Sequence, residues 1–352
     1  MLVRPEVFAL DHLPRRLLHR DREVSHLRRR LPPDSSGDIL LHGPSGVGKT
    51  TLARHTLQRI ADTGTSTAYV RTMGETRGQI ARALLDELGG DPHRTMPTLD
   101  VIDALRERVS RQHGERAVAV LDEADDLAGG DLLPLLDDVD GLHLVVCVHD
   151  QDVWMRGVDD VAIRGRLNSP DAALGLDRYS TNALADILQR RVDHGLRGNP
   201  VSREQLETIA DEAAGVAREA VQVLRSAAEL AGERQHGRIR DADIADAWGS
   251  AERRILEAAI ESVTFHHQVC YEIVRQSDGL DGAAVYERYE AIAEELYYGK
   301  AADPIGEREV RRKLSKLEDY GLIERESEYR PWRVVDERVE ATIKMTADST
   351  SH

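Results

Sequence analysis

Lysine is scarce in this sequence: it occurs only at positions 49, 300, 313, 316 and 344, and arginine supplies every other cationic side chain. Phenylalanine occurs twice, aromatic residues make up 4% of the chain, and the net charge is −16. This acid-rich, lysine-poor composition predicts a cytoplasm of high salt concentration, although a GC-rich genome favours the same residues. It excludes a uniformly basic nucleic-acid coat, so any DNA contact must come from a local basic patch.

Cysteine and long apolar runs are also scarce. Cys147 and Cys270 are the only cysteines and both lie in apolar stretches, which predicts buried thiols and excludes a disulfide framework. No run of 18 apolar residues occurs, and Arg4 and Glu6 interrupt the N-terminus, so the sequence predicts neither a membrane span nor a signal peptide. We therefore expect a cytoplasmic protein without membrane contact.

The secondary-structure signals change twice along the chain. Short apolar strands alternate with helical segments over 1–176, which predicts an α/β domain with a parallel sheet. Only helical patterns occur over 177–260, which predicts an all-α lid domain. Residues 261–345 read as three helices and a β-hairpin, the order of a winged helix, and the polar tail 346–352 is expected to be disordered.

A glycine-rich loop stands between the first predicted strand and the next helix. It fits the pattern G-x-x-x-x-G-K-[ST], in which backbone N–H groups and the helix N-terminus hold phosphates. The motif comprises Gly43, Pro44, Ser45, Gly46, Val47, Gly48, Lys49 and Thr50, and Thr51 follows it. We expect ATP or ADP here, with Lys49 at the β- and γ-phosphates and the Thr50 hydroxyl on Mg²⁺.

Polar side chains follow two later apolar strands. Asp122 is expected to hold Mg²⁺ and Glu123 to polarise the attacking water. The tetrad D-E-A-D at 122–125 also occurs in helicases, but the helical lid and winged helix that follow do not fit a helicase. His149, at the end of the next strand, is the candidate sensor of the γ-phosphate.

Two arginines are predicted to complete the site. Arg218 opens a lid helix, from which it can reach the nucleotide and report its state to the lid. Arg166 is the candidate arginine finger toward the nucleotide of a neighbouring subunit, and Arg164 is the alternative candidate. An arginine finger of this kind implies that the protein self-associates.

These motifs, in this order, resemble AAA+ ATPases of the initiator clade over almost the whole chain. The segment Leu13–Arg20 resembles the entry motif of archaeal origin-recognition and cell-division-control initiators. By that resemblance Pro14, Leu17, His19 and Arg20 are expected near the adenine. Gly215–Arg218 resembles the family's sensor-2 motif, and Thr264–Gln268 resembles the start of its winged helix.

Two departures from the family pattern concern the ATPase domain. The family usually has asparagine where His149 stands. It also has a longer DNA-contacting helical insertion where this chain has the short segment 127–138, which carries no lysine or arginine. DNA affinity is therefore expected mainly from the winged helix. The predicted contacts lie on one face of its third helix and on the hairpin: Arg308, Arg311, Arg312, Ser315, Lys316, Arg330 and Arg333.

The resemblance implies an ATP-regulated replication initiator that binds origin-like double-stranded DNA and supports loading of the replicative helicase, with slow ATP hydrolysis as a switch. Two alternatives remain at this point. One is an ATP-gated transcription or signalling switch whose winged helix binds a promoter or a protein. The other is a partner in helicase or clamp loading that has no specific DNA contact.

Overall fold

The computed structural model describes residues 1–31, 37–111, 116–277, 279–300, 303–327 and 330–343. The chain divides into two compact units, Met1–Trp248 and Gly249–His352. The first unit contains both the predicted ATPase domain and most of the predicted lid. The end of the lid at residue 260 stays a prediction. The tail predicted at 346–352 is outside the described residues.

Five parallel strands form the sheet of the first unit. They are β1 (Ile39–His42), β2 (Ser66–Arg71), β3 (Ala117–Asp122), β4 (Leu142–Val148) and β5 (Ala173–Gly175). Their spatial order is β2-β3-β4-β1-β5. The continuous apolar runs of β1, β3 and β4 are buried because helices cover both faces of such a sheet. The predicted parallel α/β sheet is confirmed.

In the part of the chain that the structure describes, seven α-helices accompany the sheet. They are α1 (Asp21–Arg30), α2 (Lys49–Ala61), α3 (Arg77–Glu87), α4 (Thr98–Ser110), α5 (Leu132–Asp137), α6 (Gln151–Gly157) and α7 (Val161–Leu167). The apolar sides of α3 and α4 join one buried cluster, and Leu27 of α1 and Leu52 of α2 belong to another. Cys147 on β4 is a buried free thiol, as predicted.

The predicted lid helices follow the sheet. They are α8 (Thr181–Gly195), α9 (Arg203–Glu212), α10 (Ala217–Glu233) and α11 (Asp241–Ser262). The division between the two units falls within α11. Ser202 and Gln205 form a capping box at the start of α9, which satisfies two backbone N–H groups that the helix leaves unpaired.

The first nine residues lie on the lid, although the sequence places them in the ATPase domain. A 3-10 helix over Pro5–Phe8 packs against α8 and α10, and Phe8 is fully buried there. Leu2 forms a β-bridge with Leu196, and the Gln222 side-chain amide donates to the Phe8 carbonyl over 2.8 Å. The apolar surface that covers Phe8 thus belongs to the lid helices, although the predicted ATPase domain, 1–176, includes this residue.

The second unit contains the three helices and hairpin predicted from the sequence. They are α12 (Phe265–Arg275), α13 (Gly282–Tyr297), α14 (Glu307–Asp319), β6 (Ile323–Glu324) and β7 (Arg333–Val334). β6 and β7 pair antiparallel, and Leu280 forms a bridge with Trp332. Cys270 is a buried free thiol. Among the described helices, none is both long and apolar enough to cross a membrane.

Candidate nucleotide site and nucleic-acid interface

The glycine-rich loop connects β1 to α2, and its glycines adopt backbone angles that other residues rarely adopt. Gly43, Gly46 and Gly48 have φ of 144°, 76° and 98°. A Cβ on Gly43 would lie 2.3 Å from the Leu176 carbonyl oxygen, and one on Gly46 would lie 2.5 Å from Val216. The loop therefore requires glycine both for its curvature and for the close approach of neighbouring segments.

Lys49 is the first residue of α2, and its ammonium points back into the loop. Its Nζ donates to the Gly43 carbonyl over 2.6 Å and to the Pro44 carbonyl over 2.9 Å. Burial lowers the pKa of Lys49. A half-buried ammonium beside neutral carbonyls, at a helix N-terminus, fits an anionic phosphate. Thr50 follows in the same helical turn and is exposed.

The two acidic residues at the end of β3 are held by side chains of β2. Asp122 is 3% exposed, and the Tyr69 hydroxyl donates to its Oδ2 over 2.7 Å. Burial is the main cause that raises the pKa of Tyr69, and the Asp122 charge adds to it. A buried carboxylate at this edge of the sheet is the ligand type that Mg²⁺ prefers.

Glu123 has a left-handed backbone (φ 56°) and an ion pair with Arg71. The Arg71 Nε lies 2.5 Å from Oε2 and its Nη2 lies 2.8 Å from Oε1. Tyr69 and Arg71 stand two residues apart on β2, and Arg71 is opposite Asp122 in the strand register. Sequence reasoning missed both residues. The available signal was the two-residue spacing of Tyr69 and Arg71, which places both side chains on the same face of a strand that neighbours the strand carrying the acidic residues.

His149 follows β4 and lies beside the same edge of the sheet. Its backbone N–H donates to Asp125 Oδ1 over 2.8 Å, and its Nδ1 is 2.9 Å from Asp125 Oδ2. The His149 carbonyl accepts from the Gly43 N–H over 3.2 Å. The structure therefore joins His149 to the glycine-rich loop through its backbone and to the D-E-A-D segment through its ring.

Arg218 brings the lid to the glycine-rich loop. It is the second residue of α10; its Nη2 donates to the Ser45 hydroxyl over 2.9 Å and its N–H to the Gly46 carbonyl over 3.3 Å. Gly215 has a φ of 79°, and a Cβ there would lie 2.3 Å from the Tyr179 carbonyl oxygen. The turn before α10 thus depends on glycine, and it delivers Arg218 to the loop.

The residues expected near the adenine lie between the lid and the sheet. The Arg20 guanidinium donates to the Val47 and Asp177 carbonyls over 3.2 and 2.7 Å, and to the Tyr179 hydroxyl over 3.0 Å. His19 has a φ of 56° and lies 2.9 Å from the Asp186 carboxylate of α8. Pro14 and Leu17 are half-buried.

Both candidate finger arginines are held inside the first unit. Arg166 Nη2 donates to Asp38 Oδ2 over 2.8 Å and forms a second ion pair with Asp137. Arg164 donates to the Val158 carbonyl over 2.8 Å through Nε. A finger needs a guanidinium that reaches another subunit, so Arg166 must first leave two carboxylates of its own chain. Its role in self-association stays a prediction.

The predicted DNA contacts on α14 separate into exposed and buried residues. Arg308, Arg311, Arg312 and Ser315 are exposed, as expected. Arg311 pairs with Glu307 and Arg312 with Glu309 on the same helix. On the hairpin, Arg330 and Arg333 are exposed, and Arg330 lies 3.7 Å from Glu326.

The predicted exposure of Lys316 is wrong. Lys316 is 6% exposed, and its Nζ lies 5.4 Å from the centre of the Tyr320 ring. It shares the buried side of α14 with Val310 and Leu317, and its long apolar stem packs there while the ammonium meets an aromatic face. A lysine counted only by its charge is therefore assigned to the wrong side of the helix.

Comparison with known proteins gives matches over most of the chain. Residues 34–153 match the family model described as an AAA domain, and residues 185–248 match the Cdc6 AAA+ ATPase-type lid domain. A protein named ORC1-type DNA replication protein 9, from Halobacterium salinarum, is 31% identical over 342 residues, covering 94% of this chain and 93% of the relative. ORC1-type DNA replication protein 1 from the same organism is 28% identical and covers 82% of this chain and 95% of the relative.

Solved structures show the same fold. The structure of the Aeropyrum pernix ORC1 protein in complex with DNA has a TM-score of 0.69 at 23% identity, covering 95% of this chain and 93% of that one. The Aeropyrum pernix ORC2 protein, in ADPNP-ADP complexes, has a TM-score of 0.61 at 22% identity over 95% of this chain and 94% of that one. By its identity to the Halobacterium relative over nearly the full length of both, together with the AAA and Cdc6-lid matches, this chain belongs to the ORC1-type family of archaeal DNA replication initiators.

Proposed function

We propose that this family member is an ATP-regulated initiator that binds origin DNA and supports helicase loading, with slow ATP hydrolysis as its switch. The contact between Arg218 and Ser45 carries the proposal, because it joins the lid to the loop that would hold the phosphates. A γ-phosphate at this loop would compete for the same guanidinium. The lid would then respond to whether ATP or ADP is bound.

The described residues supply each role needed to hold the nucleotide. The glycine-rich loop and α2 offer N–H groups, and Lys49 offers its charge to the β- and γ-phosphates. Thr50 and Asp122 would hold Mg²⁺, which would neutralise part of the charge on the phosphates. His149, whose ring is held by Asp125, is the proposed hydrogen-bond partner of the γ-phosphate.

The ion pair of Glu123 supports the proposal of slow hydrolysis. The carboxylate that would orient the attacking water is engaged by Arg71 through two hydrogen bonds. Glu123 must release Arg71, or turn within the pair, before it can accept a hydrogen bond from that water. This additional step slows turnover without weakening ATP binding, as a switch requires.

The second unit supplies the proposed DNA contact. Arg308, Arg311 and Arg312 lie exposed on one helix, and Arg330 and Arg333 lie exposed on the hairpin. Arginine suits both phosphate oxygens and guanine edges in a major groove. The glutamates that pair with Arg311 and Arg312 are exposed, so exchanging them for phosphate costs little.

Fluorescence anisotropy with a labelled origin duplex tests this function. Wild type should bind with an affinity that differs between ADP and a non-hydrolysable ATP analogue, and Lys49→Ala should abolish that difference because it removes the charge at the phosphates. Arg311→Ala/Arg312→Ala should weaken binding, whereas a control double variant at two exposed arginines elsewhere, Arg94→Ala/Arg197→Ala, should not.

Equal binding by the wild type and the Arg311/Arg312 variant at every salt concentration would refute the α14 contact. That result would favour the alternative function, a transcription or signalling switch in which the second unit binds a protein. Sedimentation velocity with ATP tests the remaining proposal on Arg166. Self-association that persists in Arg166→Ala would remove that residue from the subunit contact.

A further inference from the structure

A strongly basic surface of the first unit lies on the side of the sheet covered by α1 and α2. Residues 12–30 together with α2 contain ten arginines and lysines but only two acidic residues, in a chain whose net charge is −16. The exposed arginines among them, here called the α1 basic surface, are Arg15, Arg16, Arg22, Arg28, Arg29 and Arg59. This local excess of positive charge is opposite in sign to the net charge of the chain.

Contacts between α2 and the segment before α1 make this surface continuous. The His55 Nε2 lies 3.3 Å from the Arg15 carbonyl oxygen, and Arg59 Nε lies 3.4 Å from the same ring nitrogen. Leu27 is fully buried and anchors α1 to the sheet, so Arg22 and Arg29 point to solvent on the opposite side. Arg22 and Arg29 are seven positions apart on α1, which corresponds to a helical rise of about 10 Å.

The two acidic residues within this stretch do not neutralise the surface. Asp21 lies 3.6 Å from Arg16, and Glu23 lies 3.2 Å from Arg20, which is itself buried. No ion pair of Arg22, Arg28 or Arg29 occurs among the described residues, a range that leaves out 32–36 and therefore Asp34. The surface keeps a positive charge after its internal pairs are counted.

Stabilisation of α1 explains only part of this arrangement. Arginines in the last helical turn interact favourably with the helix dipole, by about 0.3–1 kcal/mol each when exposed, but only within that turn. That interaction applies to Arg28 and Arg29, and it is compatible with a DNA contact by the same exposed side chains. It does not account for Arg15 and Arg22 at the other end of α1, or for Arg59 on α2.

We propose that the α1 basic surface is a second contact with the phosphate backbone of duplex DNA, separate from the second unit. This rests on the proposed DNA binding and names an additional surface for it. Residues 12–31 and α2 contain no phenylalanine, tyrosine or tryptophan on which an unpaired base would stack, which favours duplex over single strands. The helical rise of about 10 Å from Arg22 to Arg29 is close to the width of the major groove, which is about 12 Å.

The salt dependence of binding to a random-sequence duplex tests this surface. Each phosphate contact contributes about −0.9 to the slope of log K against log salt, so Arg28→Ala/Arg29→Ala should lower the magnitude of the slope by about 1.8. Between 0.2 and 2 M KCl, the ratio of wild-type to variant affinity should therefore change by about 60-fold. Circular dichroism at each salt concentration confirms that both proteins stay folded.

Two matched variants separate charge from other effects. Arg28→Lys/Arg29→Lys keeps the charge and should keep the wild-type slope, whereas the Arg94→Ala/Arg197→Ala control removes two exposed arginines elsewhere and should also keep it. If Arg28→Ala/Arg29→Ala keeps the wild-type slope while Arg311→Ala/Arg312→Ala lowers it, the second unit alone binds DNA and the α1 basic surface does not. If wild type binds no duplex at any salt concentration, the proposed function itself fails.

An acidic protein partner, including a second copy of this chain, is the competing occupant. In that case Arg28→Ala/Arg29→Ala would abolish a self-association seen by sedimentation velocity without DNA, and the slope for DNA would not change. That result would overturn the proposal in favour of a protein contact.

Discussion

Replacing Arg71 by alanine should speed ATP hydrolysis, because it frees the Glu123 carboxylate. The wild-type pair has two charge-assisted hydrogen bonds, at 2.5 and 2.8 Å. Hydrogen bonds to charged groups contribute about 1.5–3 kcal/mol in mutational series. The side chains of Arg71 and Glu123 are 38% and 20% exposed, so solvent screens the pair and the lower part of that range applies.

A free-energy difference of about 1.4 kcal/mol between the paired and the released Glu123 carboxylate corresponds to a factor of ten in their equilibrium constant. If the release of Glu123 limits turnover, Arg71→Ala should therefore raise the single-turnover rate by roughly ten-fold. Arg71→Lys should give a smaller increase, because a lysine keeps the charge but not the two-point geometry of a guanidinium. The measurement is quenched single-turnover hydrolysis at saturating Mg²⁺, with ATP affinity determined separately.

Arg54→Ala is the matched control. The Arg54 guanidinium lies 5.6 Å from the centre of the Tyr69 ring, so it shares the neighbourhood of the site. The variant removes one positive charge nearby and should leave the rate within about two-fold of wild type, since Arg54 is only half-buried and solvent screens its charge. An Arg71→Ala rate equal to or below wild type, with ATP affinity intact, would show that the ion pair does not restrain Glu123.

Three further outcomes follow from the contacts described. Tyr69→Phe removes the hydroxyl that donates to Asp122 and should weaken the Mg²⁺ dependence of fluorescent ADP binding by roughly ten-fold, whereas unchanged Mg²⁺ titrations would contradict this positioning role. Arg218→Ala should abolish the difference between small-angle scattering curves recorded with ADP and with an ATP analogue; a difference that persists would refute the coupling. Burial, reinforced by Lys313, lowers the pKa of His267 to about 3, so the unfolded chain binds a proton that the folded one does not. The second unit should lose stability from about pH 6.5 downward, by at most 1.4 kcal/mol per pH unit, and His267→Gln should flatten that dependence in thermal melts.

The parts of the site that could be predicted from the sequence are those whose residues are adjacent along the chain. The glycine-rich loop and Asp122–Glu123 each follow a buried strand, so motif and context agree. Tyr69 and Arg71 lie about fifty residues from the carboxylates they hold, and only the pairing of β2 with β3 brings them together. Strand order is a long-range property that local patterns do not encode.

Other differences between the sequence-based predictions and the structure have local causes. β5, Ala173–Gly175, has three residues and gives too short an apolar run to be recognised as a strand. Lys316 was assigned by its charge, although its four-carbon stem packs as an apolar group. The lid position of Pro5–Phe8 was not predictable from local pattern, since one buried phenylalanine in a polar segment does not indicate which surface covers it.

The attachment of the first nine residues to the lid also affects how this protein is made. Phe8 is synthesised 214 residues before Gln222, whose side-chain amide donates a hydrogen bond to the Phe8 carbonyl. At about 5–20 residues per second, the N-terminal segment waits roughly 10 to 40 s for its partner. The sheet can be completed in that interval, whereas the lid core cannot close until α10 has been synthesised. The two segments that form the lid thus flank the ATPase core in the sequence, and residues 1–9 can pack on α10 only after that core has been synthesised.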